Sequence, residues 1–143
     1  MVSSDEDRSD FVIAYTLARV GFGLNLFTHG LARIGAIPAF AGSLQNMFAK
    51  SWLPLPLVTA VGFAIPPIEF AIGILIIVGL LLRPALIVGM LLMWVLTFGT
   101  CLIQQWSVAS EQLIYVAFYA ALIAFARYNR FSLAAMGKQS ASR

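Results

Sequence analysis

The sequence predicts an all-α integral membrane protein, a four-helix transmembrane bundle, and three observations lead there. Hydrophobic residues make up 61% of the 143-residue chain and charged residues only 10%, where soluble domains are about a quarter charged. The apolar residues gather into four segments of roughly spanning length. None of the segments alternates polar and apolar residues as a barrel strand does, so helices are the form that satisfies the backbone in lipid. A soluble fold of this size exposes too large a share of its surface to hide so much apolar area.

The elements follow in order. Residues 1–10 read as a polar, acidic tail without the basic start of a cleavable signal peptide, so the apolar stretch over 11–34 is a retained first helix. The second span, 55–82, exceeds the roughly 20 residues a bilayer requires. Pro66-Pro67 is expected to kink or break it. The third span covers 84–103. The fourth, 111–127, is short, with Ser110 as its N-cap and Glu111 suited to the helix dipole. The single transmembrane domain thus occupies 11–128. Residues 129–143 form a small, polar, basic tail whose end is expected to be disordered. Gly21 and Gly23 read as points of close helix approach, and Ala117, Ala120, Ala121 and Ala124 as a packing face.

Lys and Arg set the expected orientation. An even number of spans places both termini on one side, together with Arg8, Arg83, Arg127, Arg130, Lys138 and Arg143. The other side holds Arg33 and Lys50, so both termini are expected to be cytoplasmic, in a bacterial-type inner membrane. The connections 35–54 and 104–110 then lie outside. Trp52, Trp106 and Tyr128 fall near span ends, as interfacial aromatics do. A net charge of +3 calls for no nucleic-acid partner and suits anionic lipid.

The informative residues are polar ones inside the spans. Arg19, Asn25 and His29 lie in the first, with Arg33 at its outer end, and Glu69 in the second. An intramembrane charge costs at least a few kcal/mol, so it faces the bundle interior, a wet cavity or an opposite charge. Asn25, His29 and Arg33 recur every fourth residue and share one face. Glu69 is the acidic side chain deepest in a span; its expected partner is His29, with Arg19 second. Arg33 is expected to snorkel to the outer headgroups. Gln104, Gln105 and Glu111 are rim candidates above this cluster, against the plainer reading of Glu111 as a dipole-neutralising residue. A purely structural role weighs evenly against function for Asn25 and Arg19, less so for His29 and Glu69. Cys101 and His29 are each the sole residue of their type, which excludes an intrachain disulfide, a CxxC pair, an HExxH zinc site and bis-histidine haem ligation within one chain. No metal site is expected.

Arg19 to Ile34, RVGFGLNLFTHGLARI, resembles the opening helix of the DoxX family, with an early Arg and then a His-Gly pair followed by a basic residue. Pro66 to Ala85, PPIEFAIGILIIVGLLLRPA, resembles that family's second helix, and Leu53-Pro54-Leu55-Pro56 the segment leading into it. The resemblance implies a small four-helix membrane protein, related to the membrane subunit of thiosulfate:quinone oxidoreductase or to thiol-stress systems. It places Arg19, His29 and Glu69 at the family's polar positions without assigning a catalytic residue.

Two classes of function remain. One is a redox-linked membrane subunit binding a quinone or a small sulfur anion, alone as a homo-oligomer or with a partner redox protein. The other is a small-solute transporter or binding protein, in which a broken second helix offers free backbone groups beside Glu69. An assembly or anchoring subunit without a site of its own is the plainer alternative.

Overall fold

The computed structural model describes residues 3–132, with side chains from Asp7 onward. Five helices follow one another: α1 (Ser3–Ile34), α2 (Ile37–Phe48), α3 (Leu55–Val78), α4 (Leu82–Leu102) and α5 (Trp106–Ala124), closed by a short 3-10 turn over Ala126–Tyr128. Among the described residues there is no strand. Four helical stretches are long and apolar enough to cross a membrane: Asp7–Ile34 of α1, and α3, α4 and α5. The chain is the helical membrane bundle its composition predicts.

The boundaries depart from expectation in instructive places. α1 starts at Ser3, within the stretch read as a tail; a serine pair followed by acidic residues suits a helix start, where free N–H groups and the dipole favour them. The connection 35–54 contains α2. Pro38 falls in its first turn, where a missing N–H costs nothing. Ala41, 1% exposed, seats α2 on α3 at Gly62, and any side chain there would strike the α2 backbone. α3 runs unbroken for 24 residues with Pro66 and Pro67 inside it, so the split into two pieces does not occur. α5 begins at Trp106, one turn before the expected cap: the Ser110 hydroxyl donates to the Trp106 carbonyl at 2.8 Å inside the helix.

Consecutive spans run antiparallel. The start of α1, the α3–α4 turn and the 3-10 turn share one end of the bundle, called here the terminal end. α2 and the α4–α5 turn share the other, the capped end. The closest packing joins α1 to α3. Gly30 lies against the Phe70 backbone, Gly73 against the Phe27 backbone, and Gly23 against Ile76 and Ile77. Missing side chains permit this approach, as small residues do at membrane helix crossings. Gly21 meets nothing, so of the expected pair only Gly23 serves. The Phe27 and Phe70 rings, 5.1 Å apart, flank the crossing. The alanines of α5 read as a packing face are exposed. α5 turns Tyr119 and Leu122 inward instead, onto a core with Leu86, Ile76 and Phe22.

Candidate functional site

The register of α1 on α3 decides who meets Glu69. Gly30 opposite Phe70, and Phe27 opposite Gly73, set Glu69 level with Leu31, between His29 and Arg33. Arg33 wins the contact: its Nη1 donates to Glu69 Oε2 at 2.6 Å. Glu69 is 3% exposed, and this is the one ion pair among the described residues. The Arg33 guanidinium also rests over the Phe40 ring of α2, 4.9 Å from its centre. Arg33 is therefore folded back into the bundle by α2, where a loop would have left it free to reach the headgroups. The His29 contact expected for Glu69 is replaced by this pair.

Arg19 belongs to a different place. Buried to 2% exposure, it donates from Nη1 to the Ile76 and Ile77 carbonyls at 2.5 and 2.7 Å, and from Nη2 to the Phe131 carbonyl at 2.8 Å. The first two acceptors are among the last carbonyls of α3, which a helix leaves unpaired. Gly79, at φ 69°, ends α3 in the left-handed conformation that glycine adopts freely. A side chain there would collide with Arg19 and Ser132. Arg19 thus closes the terminal end and takes no part in the Glu69 cluster. Phe131 and the buried Ser132 belong to the start of the C-terminal tail; its end, expected to be disordered, lies in residues 133–143, outside the described residues.

A cavity of about 320 Å³ opens at the capped end, between the α1–α3 pair and α4–α5. Asn25, His29 and Arg33 line it from α1 as the single stripe their spacing predicts, and Glu69 lines it from α3. Glu111 and Gln105 reach its rim. Gln104 does not; it is exposed and turns the chain at φ 58°. Phe22, Leu26, Ile65, Met93 and Leu96 make the remaining wall apolar. Among the described residues no three His, Cys, Asp or Glu side chains gather as a metal would require.

Three contributors escape sequence reading. Thr100 donates to the Gln112 carbonyl oxygen at 2.8 Å, which orients that amide at the cavity wall. Gln112 stood one place from the start assigned to the fourth span, and the early start of α5 brings it inside. Tyr119 has 0% exposure and a hydroxyl with no hydrogen-bond partner. It borders the cavity and lies against Gly89 of α4, where no side chain intervenes. A phenol in an alanine-rich span is the signal that could have found it. Buried polar groups in lipid carry partners as a rule, which makes this hydroxyl an exception at the site. An apolar-walled chamber holding a guanidinium, a carboxylate, an imidazole and two amides suits a small molecule with an apolar body and polar oxygens.

No curated protein and no solved structure matches the chain. The matching family model is that of methylamine utilisation protein MauE, over residues 11–113. This corrects the DoxX resemblance, which drew on the same segments. Its glycines and its intramembrane charges meet needs common to closely packed membrane helices: Gly30 and Gly73 admit a neighbouring backbone, and Glu69 requires a cation. Such features mark a way of packing before they mark a lineage. With most of its four spans covered by that match, the chain is a multi-pass membrane protein that belongs to the MauE family.

Proposed function

We propose that this protein is a redox-linked membrane subunit of a methylamine utilisation system, and that its cavity binds a small amphipathic ring of the quinone class. The observation that carries the reading is the Arg33–Glu69 pair set beside His29 in the wall of a chamber whose other sides are largely apolar. Arg33 and the amides of Asn25 and Gln112 supply donors for ring oxygens. Apolar side chains from α1, α3 and α4 flank the ring body. A quinone, when bound, supplies two-electron chemistry coupled to protons. His29 and Glu69 line the same chamber and would hold or release a proton at the quinone oxygens. The chain carries a lone cysteine and a lone histidine, so beyond the quinone itself, electron transfer at the chamber would need a partner protein or a ligand supplied by another copy.

In this reading both termini are cytoplasmic and the chamber opens outward, in a bacterial-type inner membrane. Four arginines, Arg8, Arg83, Arg127 and Arg130, stand at the terminal end. With Arg33 engaged by Glu69, Lys50 is the one free Lys or Arg at the capped end among the described residues, which sharpens the charge asymmetry that sets topology. α3 is continuous, so the backbone groups a carrier would use beside Glu69 are limited to the Gly62 and Phe63 carbonyls, which Pro66 and Pro67 leave without an N–H donor four residues on.

Native mass spectrometry with solvent extraction tests the assignment, with wild type beside Glu69→Gln and His29→Ala. A quinone that copurifies with wild type and is lost from both folded variants is the expected result. Folded wild type that neither carries quinone nor takes up added short-chain ubiquinone would sink it in favour of an anchoring role.

A further inference from the structure

A second chamber lies at the terminal end, far from Glu69. It is about 460 Å³ in volume, and Arg8, Arg127 and Arg130 line it with Asp7. None of the three arginines has a carboxylate partner among the described residues, so its mouth carries a net positive charge. Arg127 instead lies over the Tyr128 ring at 4.8 Å and donates to the Tyr128 hydroxyl at 3.0 Å.

An apolar groove of about 230 Å³ runs from this chamber along the seam of α1 and α5. The two spaces share Phe11 and Tyr128, whose rings stack at 5.2 Å. The groove exists because Ala14, Ala18 and Ala121 leave room there. Its walls offer no free polar group from Tyr15, whose hydroxyl donates to the Leu122 carbonyl at 2.9 Å. From Phe11 to Ala18 the groove follows about 10 Å of helix at 1.5 Å per residue, a length suited to part of an acyl chain.

We infer that the chamber and groove together form a binding site for one anionic phospholipid, with its phosphate among Arg8, Arg127 and Arg130 and an acyl chain between α1 and α5. Arginine is the side chain best matched to phosphate oxygens. Excess positive charge disfavours a headgroup that bears its own ammonium, which selects an anionic lipid over a zwitterionic one. Asp7 accepts hydrogen bonds, so a hydroxyl-bearing headgroup such as glycerol fits beside it. The spans place the arginines where headgroups lie, at the end of the bundle where basic residues meet anionic lipid.

Native mass spectrometry of the full chain, released from detergent micelles containing either phosphatidylglycerol or phosphatidylcholine, tests the site. Wild type is expected to retain one phosphatidylglycerol in preference to phosphatidylcholine. Arg8→Gln with Arg130→Gln is expected to cut that retention about tenfold or more, the combined worth of two near-surface basic contacts. Ala18→Phe fills the groove at an exposed position without touching the core, and is expected to lower retention while the arginines remain. Equal retention of the two lipids would overturn the inference. So would displacement of phosphatidylglycerol by inorganic phosphate with no effect of Ala18→Phe, since the chamber would then be an anion site without a lipid. Should the double arginine variant misfold, Ala18→Phe and the choice between lipids still decide.

Discussion

Two arginines sit fourteen residues apart on α1 and meet burial in opposite ways. Arg19 is surrounded by backbone carbonyls, two from the end of α3 and one from Phe131, and pairs with no carboxylate among the described residues. Arg33 meets a carboxylate, Glu69, and keeps about a third of its side chain open, at 32%. The first arrangement is built from main-chain groups that exist whatever the side chains are, and it closes the terminal end. The second depends on one side-chain partner and faces a chamber. A cation held by carbonyls is a fastener; a cation held by a single acid beside a cavity is available to a ligand.

The largest effect is expected where both arrangements lose their common frame. Gly30→Leu drives a side chain into the Phe70 backbone, which no rotamer change relieves. It should abolish the folded bundle as judged by size-exclusion profile and helical signal in detergent, and a monodisperse variant with an intact cavity would refute the register described for α1 on α3.

Removing either arginine comes next, and the pair of outcomes sharpens the contrast. Arg19→Leu leaves three acceptors without a charged donor, at roughly 1.5 kcal/mol each, for a loss of about 4.5 kcal/mol. Arg33→Leu strands Glu69 and should cost about 3 kcal/mol, toward the lower end for buried pairs because Arg33 is partly open. Replacing Glu69 by Leu as well should recover most of that second loss, since apolar substitutes for a buried pair are often neutral. No second substitution can do so for Arg19, because carbonyls cannot be deleted. Unfolding titrations in mixed micelles provide the test; failure of Glu69→Leu to rescue Arg33→Leu would mean that the pair is not an isolated unit.

The smallest effect belongs to Tyr119→Phe. Its hydroxyl has no partner, so the protein free of ligand should change by no more than about 0.5 kcal/mol or gain slightly. The same variant should weaken binding of added short-chain ubiquinone several-fold if that hydroxyl meets the ligand. A large loss of stability without ligand would show instead that the phenol is held by something in the bundle.

Much of the fold was legible because hydropathy reports on it directly. The four apolar stretches and the stripe of Asn25, His29 and Arg33 depend on chain-local spacing, which a sequence states outright. The α2 helix was not legible, since 12 residues between two spans show no spanning hydropathy and its role depends on Ala41 meeting Gly62. The partner of Glu69 was missed for a related reason. The contact is fixed by glycine positions on both helices, which set a register that spacing along either helix alone does not state. Tyr119 was passed over because a phenol counts as apolar in a hydropathy profile, although its unpaired hydroxyl is what sets it apart. Motif likeness misled about the family because Gly and Glu at these spacings answer demands of packing and pairing that more than one family of membrane bundles meets.

The hold of Arg19 on Phe131 also constrains the order of biogenesis. Arg19 enters the membrane with the first span, and two of its acceptors arrive with the second. The third lies beyond the last span. A buried cation of the first span is therefore left incompletely coordinated until the segment after the last span has been made. The first helix is the last to be completed, and a chain shortened before Phe131 would leave Arg19 one acceptor short.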